Sequence, residues 1–326
     1  MPVHIAVLHV ATRILAVMAL AVAANAHAQS DYPNRPVRII VPFGAGGLSD
    51  NLTRLFAKEL SERLGQPFVP DFRPGASTNI GAAALAASPP DGHTLFVATI
   101  ASNALNKWTY KKLPYDPDGF VNVGMLAVNT FYVVVRPESP FQTVQDLVRA
   151  ARESPKGLSY GSHGNGGANH MITELFRTRA GIRDLLHVAY KGPESHVDLM
   201  AGRTDFMIDG AAINHVQAGK LRALAVAFPK RWPTQPNVPT MAEAGYPDVT
   251  ISTFFGLSAP AGTPAAVADK LNAALRAIAS HPEMDKRLLA MNMMPMSMSR
   301  TEMNDFIRAQ SDKWGPVLRS LNIVFE

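Results

Sequence analysis

From Val37 onward the chain alternates short apolar runs with amphipathic helical stretches, and no other feature restricts the fold as much. Strands that are apolar on both faces need cover on both sides, and helices placed between them provide it. This is the pattern of an α/β protein with a largely parallel sheet. The first series comprises a strand at Val37–Val41, a helix over 50–64 stopped by Gly65, a strand over 67–69, a small-residue helix over 79–87 and a strand over 94–98. A very apolar strand over 131–135, ending at Arg136-Pro137, opens a second series. It continues with a helix over 144–153, a strand over 158–160, a helix over 168–180, a strand over 186–190, a helix over 195–201 and strands over 206–208 and 221–227. A Pro-rich stretch over 229–239 then crosses the surface to a return strand over 254–260, and three helices begin near Pro264, Pro282 and Thr301. One domain interrupting another requires two crossings. The expected division is therefore 29–129 plus 252–326 for one lobe and 130–251 for the other, with a cleft and a hinge between them.

Composition excludes several alternatives. The 326 residues are 47% hydrophobic and only 17% charged, too apolar for a disordered chain, and no heptad or short repeat points to a coiled coil or solenoid. The sequence contains no Cys, which removes thiol nucleophiles, disulfides and thiolate metal sites together. At the N-terminus, Arg13 precedes an apolar run of 11 residues, Ile14 to Ala24, too short to span a bilayer. Ala26-His27-Ala28 follows with the small-x-small pattern of a signal peptidase site, so cleavage after Ala28 and export to the periplasm are expected. Removing that segment takes one Arg and no acid, leaving 30 − 26 = +4, too small and scattered an excess to indicate nucleic acid.

Two Gly-rich loops join a strand directly to a helix, one in each expected lobe. The first is Pro42-Phe43-Gly44-Ala45-Gly46-Gly47-Leu48-Ser49-Asp50, and the second runs from Tyr160 through Ser162, His163, Gly164, Asn165, Gly166 and Gly167 to Asn169 and His170. Glycine lets the main chain approach a ligand, and the amides and dipole of a first helical turn favour an anion without Arg or Lys. Two such loops face to face would clamp an anion; a tight turn is the plain alternative for either alone. A dinucleotide fingerprint fails at its third glycine, where Ser49 stands, although Asp71 ends the next strand. Neither loop continues as a P-loop. Ser162-His163-Gly164 approaches a nucleophile elbow, but Tyr160 replaces its first glycine, so an exported serine hydrolase using Ser162 stands as the rival reading.

The seven His beyond residue 28 show no His-x3-His or HExxH spacing, and neither a metal nor another cofactor is expected of them. The Met-rich run from Met291 to Met298 is either gap-filling core or a Cu(I) thioether set. Asp209 closes a strand where ligands of open α/β sheets collect, and it either meets a ligand group or caps the next turn. His170 reads as a structural hydrogen-bonder, and Asp50 suits the dipole of its helix.

Taken together, these residues resemble the Bug-type periplasmic solute-binding proteins of tripartite tricarboxylate transporter systems. The similarity runs through Tyr32-Pro33-x-Arg35-Pro36, Val41-Pro42-Phe43-x-Ala45-Gly46-Gly47-x-x-Asp50, Arg73-Pro74-Gly75-Ala76, Pro90-Asp91-Gly92, Tyr190-Lys191-Gly192, Gly219-Lys220-Leu221-Arg222-Ala223-Leu224-Ala225 and Val238-Pro239-Thr240. The resemblance implies a two-lobed type II, Venus-flytrap receptor that takes up a small organic carboxylate and delivers it to integral-membrane permease subunits, with no catalysis and as a monomer. By position it implies contacts from Phe43, Ala45, Gly46, Gly47, Leu48, Ser49 and Asp50 in one lobe. The other lobe would offer Ser162, Gly164, Asn165, Gly166, Gly167, Asn169 and His170, with Asp209 at the rim. The chain departs from the family pattern at Gly44, Leu48, Ser77, Thr78 and Gly167. Fewer hydroxyls and an added Leu48 make the expected pocket drier, which suits a ligand with an apolar or aromatic body and one carboxylate. A receptor that signals to a membrane sensor instead of a permease needs the same site.

Overall fold

The computed structural model describes residues 32–164, 167–190, 194–320 and 324. The expected leader, 1–28, lies outside them, as do Asn165 and Gly166. The chain begins with β1 (Val37–Val41), α1 (Leu48–Leu64), β2 (Phe68–Phe72), α2 (Asn79–Ala86), β3 (Thr94–Thr99), the short α3 (Asn106–Thr109) and β4 (Val121–Asn129). It continues with β5 (Tyr132–Val135), α4 (Val144–Glu153), β6 (Leu158–Ser162), α5 (Ala168–Arg179), β7 (Leu185–Ala189), α6 (Glu194–Met200), β8 (Phe206–Asp209), α7 (Ile213–Gln217) and β9 (Arg222–Val226). The last elements are β10 (Thr253–Ala259), α8 (Ala265–Ala279), α9 (Pro282–Ala290), β11 (Met294–Pro295) and α10 (Arg300–Ser320).

Two sheets result, ordered β11-β4-β10-β3-β1-β2 and β7-β6-β8-β5-β9. Each contains a parallel block of three strands, β2-β1-β3 in one and β7-β6-β8 in the other. One reversed strand borders each block: β10 runs against β3, and β5 against β8. These are the strands that follow a passage between the sheets, since a chain arriving from the other lobe enters in the opposite sense. Beyond them β4 and β9 pair antiparallel and so run with the block again. The two passages lie side by side, the hydroxyl of Thr130 donating to the Ile251 carbonyl at 3.3 Å.

The expected elements form with small shifts at their ends, for local reasons. Gly65 at φ +74 terminates α1 in the left-handed conformation that glycine adopts at least cost. At α4, the Thr143 side chain accepts from the Asp146 amide while the Asp146 carboxylate accepts from the Thr143 amide, a capping box worth about 0.5–2 kcal/mol. The sequence reading missed β4 and the five-residue α7. Gly124 interrupts the apolar pattern of β4, and only tertiary contact explains the glycine: a Cβ there would lie 2.8 Å from Leu275 Cδ1.

The largest buried cluster is shared by both lobes. It joins Ala98, Met125 and Val128 to Val133, Phe176 and Phe206, and it includes Trp314 and Leu318 of α10. The C-terminal helix thus packs against α5 as well as β4, and Lys313 Nζ donates to the Thr250 carbonyl at 2.8 Å beside the passage. Among the described residues no helix is long and apolar enough to cross a membrane.

Candidate functional site

The strand ends of the parallel blocks face a cavity of about 580 Å³ between the two sheets. Three helix N-termini reach it: Leu48 opens α1, Ser77 and Thr78 precede α2, and Ala168 and Asn169 open α5, all on the cavity wall. None of the three helices has a side-chain cap at its N-terminus. Uncapped first turns present amide hydrogens and the positive end of the dipole, so the electrostatic preference here is for an anion. The left-handed backbone at Ser77 (φ 50) and Thr78 (φ 77) aims this turn. The Thr78 hydroxyl is buried with no partner among the described residues, leaving it free to bond a ligand oxygen.

Much of the remaining wall is apolar. Pro42, Phe43 and Leu48 of the first loop, Ile100, Phe254 and Phe255 of the same lobe, and Phe131 of the other line the space. Phe43 meets Phe255 edge to face, with ring centroids 6.3 Å apart. Neither Lys nor Arg lines the cavity among the described residues, and His163 is the side chain there able to carry positive charge.

Of the residues expected from sequence, Phe43, Leu48, Asn169 and Asp209 line the cavity. Several others hold the loops instead of the space. Asp50 is buried: its carboxylate accepts from the Gly46 amide at 2.8 Å and pairs with Arg54 at 2.6 Å. Gly46, at φ +83, turns the loop; Ala45 and Gly47 are exposed and Ser49 is buried, and none of the three is among the residues lining the cavity. The Gly167 amide approaches the Gly164 carbonyl at 3.4 Å, closing the second loop on itself. Asn165 and Gly166 fall outside the described residues. His170 stacks on His187 at 4.2 Å and is not among the residues lining the cavity.

Ser162 acquires a histidine, though not one adjacent in sequence. Its Oγ lies 2.6 Å from His187 Nε2 and donates to the Gly164 carbonyl at 3.1 Å. The residue is 0% exposed, so the hydroxyl that would have to attack an ester is buried. Burial, reinforced by the neighbouring His170, pushes His187 down to about 4, and it stays neutral as the serine's hydrogen-bond partner.

Asp209 is the most constrained polar group of the site. Its carboxylate accepts from Asn169 Nδ2 at 2.7 Å and the Ala212 amide at 3.0 Å, and it pairs with His196 Nε2 at 2.6 Å. Burial by itself would raise its pKa. The His196 hydrogen bond, the charges of His163 and His196 and the Asn169 bond outweigh that and hold it below the usual carboxylate range. It caps the turn before α7, as one of the two readings expected, and it also lies on the cavity wall. His163, His196, Thr78, Phe131 and Phe255 were not picked as site residues from sequence. His163 sits inside the second Gly-rich loop and carried a signal; His196 reaches the site from α6 and carried none.

The Met-rich run supplies part of the core: Met293 is fully buried, and Met294, Met296 and Met298 pack against the shared cluster. This is the gap-filling role.

Comparison with known proteins places this architecture. The sequence model described as "Tripartite tricarboxylate transporter family receptor" (TctC) matches residues 52–323. A protein of Pseudomonas sp. strain P51, named for the tcbD-tcbE intergenic region, is 34% identical over 93% of this chain and 92% of its own length. BugT of Bordetella pertussis is 31% identical over 94% of this chain and 97% of its own. Among solved structures, R. palustris Rpa4515 with adipate superposes with a TM-score of 0.81 at 36% identity, covering 90% of this chain and 99% of that one. MatC from Rhodopseudomonas palustris with bound malate gives 0.76 at 28% identity, over 88% of this chain and all of that one.

Proposed function

This chain belongs to the tripartite tricarboxylate transporter receptor family, with the two-lobed fold of its solute-binding proteins, and from that premise we propose that it captures a small carboxylate with an apolar body in the cleft between its lobes. The observation that carries the reading is the convergence of three uncapped helix N-termini on one largely apolar cavity of about 580 Å³. The first-turn amides at Leu48 and Asn169, with the Thr78 hydroxyl, would hold the carboxylate. Phe43, Phe255 and Phe131 would cover the body of the ligand. Adipate, held by one relative, has a four-carbon apolar middle, whereas malate, held by another, is short and hydroxylated. The aromatic wall favours the former kind.

The lobes are proposed to divide at 129/130 and 251/252, where the chain leaves one sheet for the other. The Thr130 and Ile251 passages then serve as the hinge, and closure follows from tighter ligand contact in the closed form. Capture in the periplasm after removal of residues 1–28, and delivery by a monomer to a membrane permease, complete the reading. The two Gly-rich loops are proposed to act unequally: the first presents Phe43 and Leu48 directly, and the second supplies the uncapped start of α5. Calorimetric titration with adipate, phenylacetate, malate and citrate tests this. Binding of the first two more tightly than citrate is expected, and binding confined to citrate-like acids overturns it. Ester turnover that disappears in Ser162→Ala would instead establish the hydrolase.

A further inference from the structure

On the second-lobe wall of the cleft, three side chains that are remote in sequence meet. His163 comes from the loop between β6 and α5, His196 from α6 and Asp209 from the end of β8. One ligand atom from each lies within 4.8 Å of the other two. We propose that these three residues bind a divalent transition-metal ion of the Zn²⁺ or Ni²⁺ class, with a further coordination position opening into the cavity.

Two imidazoles and one carboxylate are the donor set of zinc, nickel or copper, whereas magnesium and calcium prefer all-oxygen shells. Three protein ligands with one open position is the arrangement of zinc sites that exchange a ligand. The carboxylate is held from behind, by Asn169 Nδ2 at 2.7 Å and the Ala212 amide at 3.0 Å. Such supporting bonds orient a ligand oxygen before the ion arrives. His196 and Asp209 are 6% and 3% exposed and sit on packed elements, while His163 is exposed and able to swing. The His163 ring stands edge-on to that of His196, with centroids 5.5 Å apart.

The required movement is small. His196 Nε2 and Asp209 Oδ2 are 2.6 Å apart and share a hydrogen. Two ligands at about 2.0–2.1 Å on a tetrahedral ion are separated by about 3.3 Å. The pair must therefore open by less than an ångström, and the hydrogen leaves Nε2 for Nδ1 or for solvent. The exposed His163 then closes the third side by rotation about its own side chain. The site needs no change in the fold and no carboxylate ligand, so it stands or fails separately from the receptor reading.

The test is titration of Zn²⁺ and Ni²⁺ into tag-free protein stripped with chelator, by calorimetry in a weakly coordinating buffer. Co²⁺ is used in parallel for the intense visible absorption of a tetrahedral site. The expected result is one saturable site, an upward shift in Tm with Zn²⁺, and no comparable binding of Mg²⁺. His163→Ala, at an exposed position that leaves the fold intact, should weaken affinity by roughly tenfold or more. His196→Gln should do the same, and His281→Ala, at the start of α9, should leave the metal affinity unchanged, although it removes a helix cap. Absence of saturable binding up to about 1 mM metal, or binding indifferent to His163→Ala, overturns the proposal.

Discussion

Phe43→Ala separates an apolar-bodied ligand from a purely polar one. Phe43 remains 36% exposed on the cavity wall and makes its ring contact with Phe255. A phenylalanine ring covers roughly 200 Å² when fully enclosed, so a ligand filling the cleft would cover about 70 Å² more of it. At ~25 cal/mol per Å² that area is worth about 1.8 kcal/mol. An edge or stacking contact with an aromatic ligand adds some ~0.5–1.5 kcal/mol. The truncation should therefore cost about 2 kcal/mol of binding, or roughly 30-fold in Kd. Apo stability is measured alongside, because the covered part of the ring, including its contact with Phe255, is lost as well. Isothermal titration of wild type and variant with adipate, phenylacetate and malate reads the difference, with apo Tm as the control for folding. Less than about a threefold loss for every apolar-bodied acid that binds, or an equal loss for malate, would refute the reasoning.

Four further outcomes follow from the same geometry. Gly46→Val places a β-branched residue at φ +83 and should abolish the ligand-dependent thermal shift by displacing the first loop, at a cost of about 1–2 kcal/mol in apo stability; an unchanged shift contradicts the loop's role. Asp209→Ala leaves His196 and Asn169 without their buried partner and should cost about 3–5 kcal/mol, read from the urea midpoint. Gly315→Ala drives a Cβ to within 2.6 Å of Trp108 Cε2 and should lower Tm by an amount equivalent to about 1–3 kcal/mol, because α10 cannot move away from both lobes. Stability should also fall on acidification from pH 7.5 to 5.0. His187 and His170 are held neutral in the fold, His187 down to about 4, so the unfolded chain takes up protons first and their contribution is lost as pH drops below about 6.5. Asp209, whose carboxyl the fold holds low, adds its own loss only in stronger acid. A urea midpoint that is flat or rises between those two pH values would contradict the assignment.

The sequence was most legible where local chemistry decides. The helix Val144–Glu153 reads to the residue because a capping box and an amphipathic face agree on its limits. The first Gly-rich loop and the strand-end Asp209 could be placed at the sheet edge because a strand running directly into a helix leaves amides and a carboxylate there, and Phe43, Leu48 and Asp209 do line the cavity. By contrast, the packing of Ser162 and His170 around His187 had no signal in the sequence, because His187 comes from a neighbouring strand. Thr78 and Phe255 enter the site because left-handed turns and sheet order bring them there, and neither property shows as a pattern along the chain.

The sequence by itself determined the class of the molecule: alternating apolar strands and helices that must cover both faces of a sheet, interrupted once so that two lobes form, with Gly-rich loops joining strand to helix in each. These properties depend on residues a few positions apart and on the periodicity of the backbone. Only the tertiary structure decided that His163, His196 and Asp209 stand together, that Ser162 is sealed, that α10 fastens both lobes, and that aromatic rings cover much of the cleft. Those outcomes depend on distances between elements many residues apart, set by sheet order and crossing geometry, which no local spacing encodes.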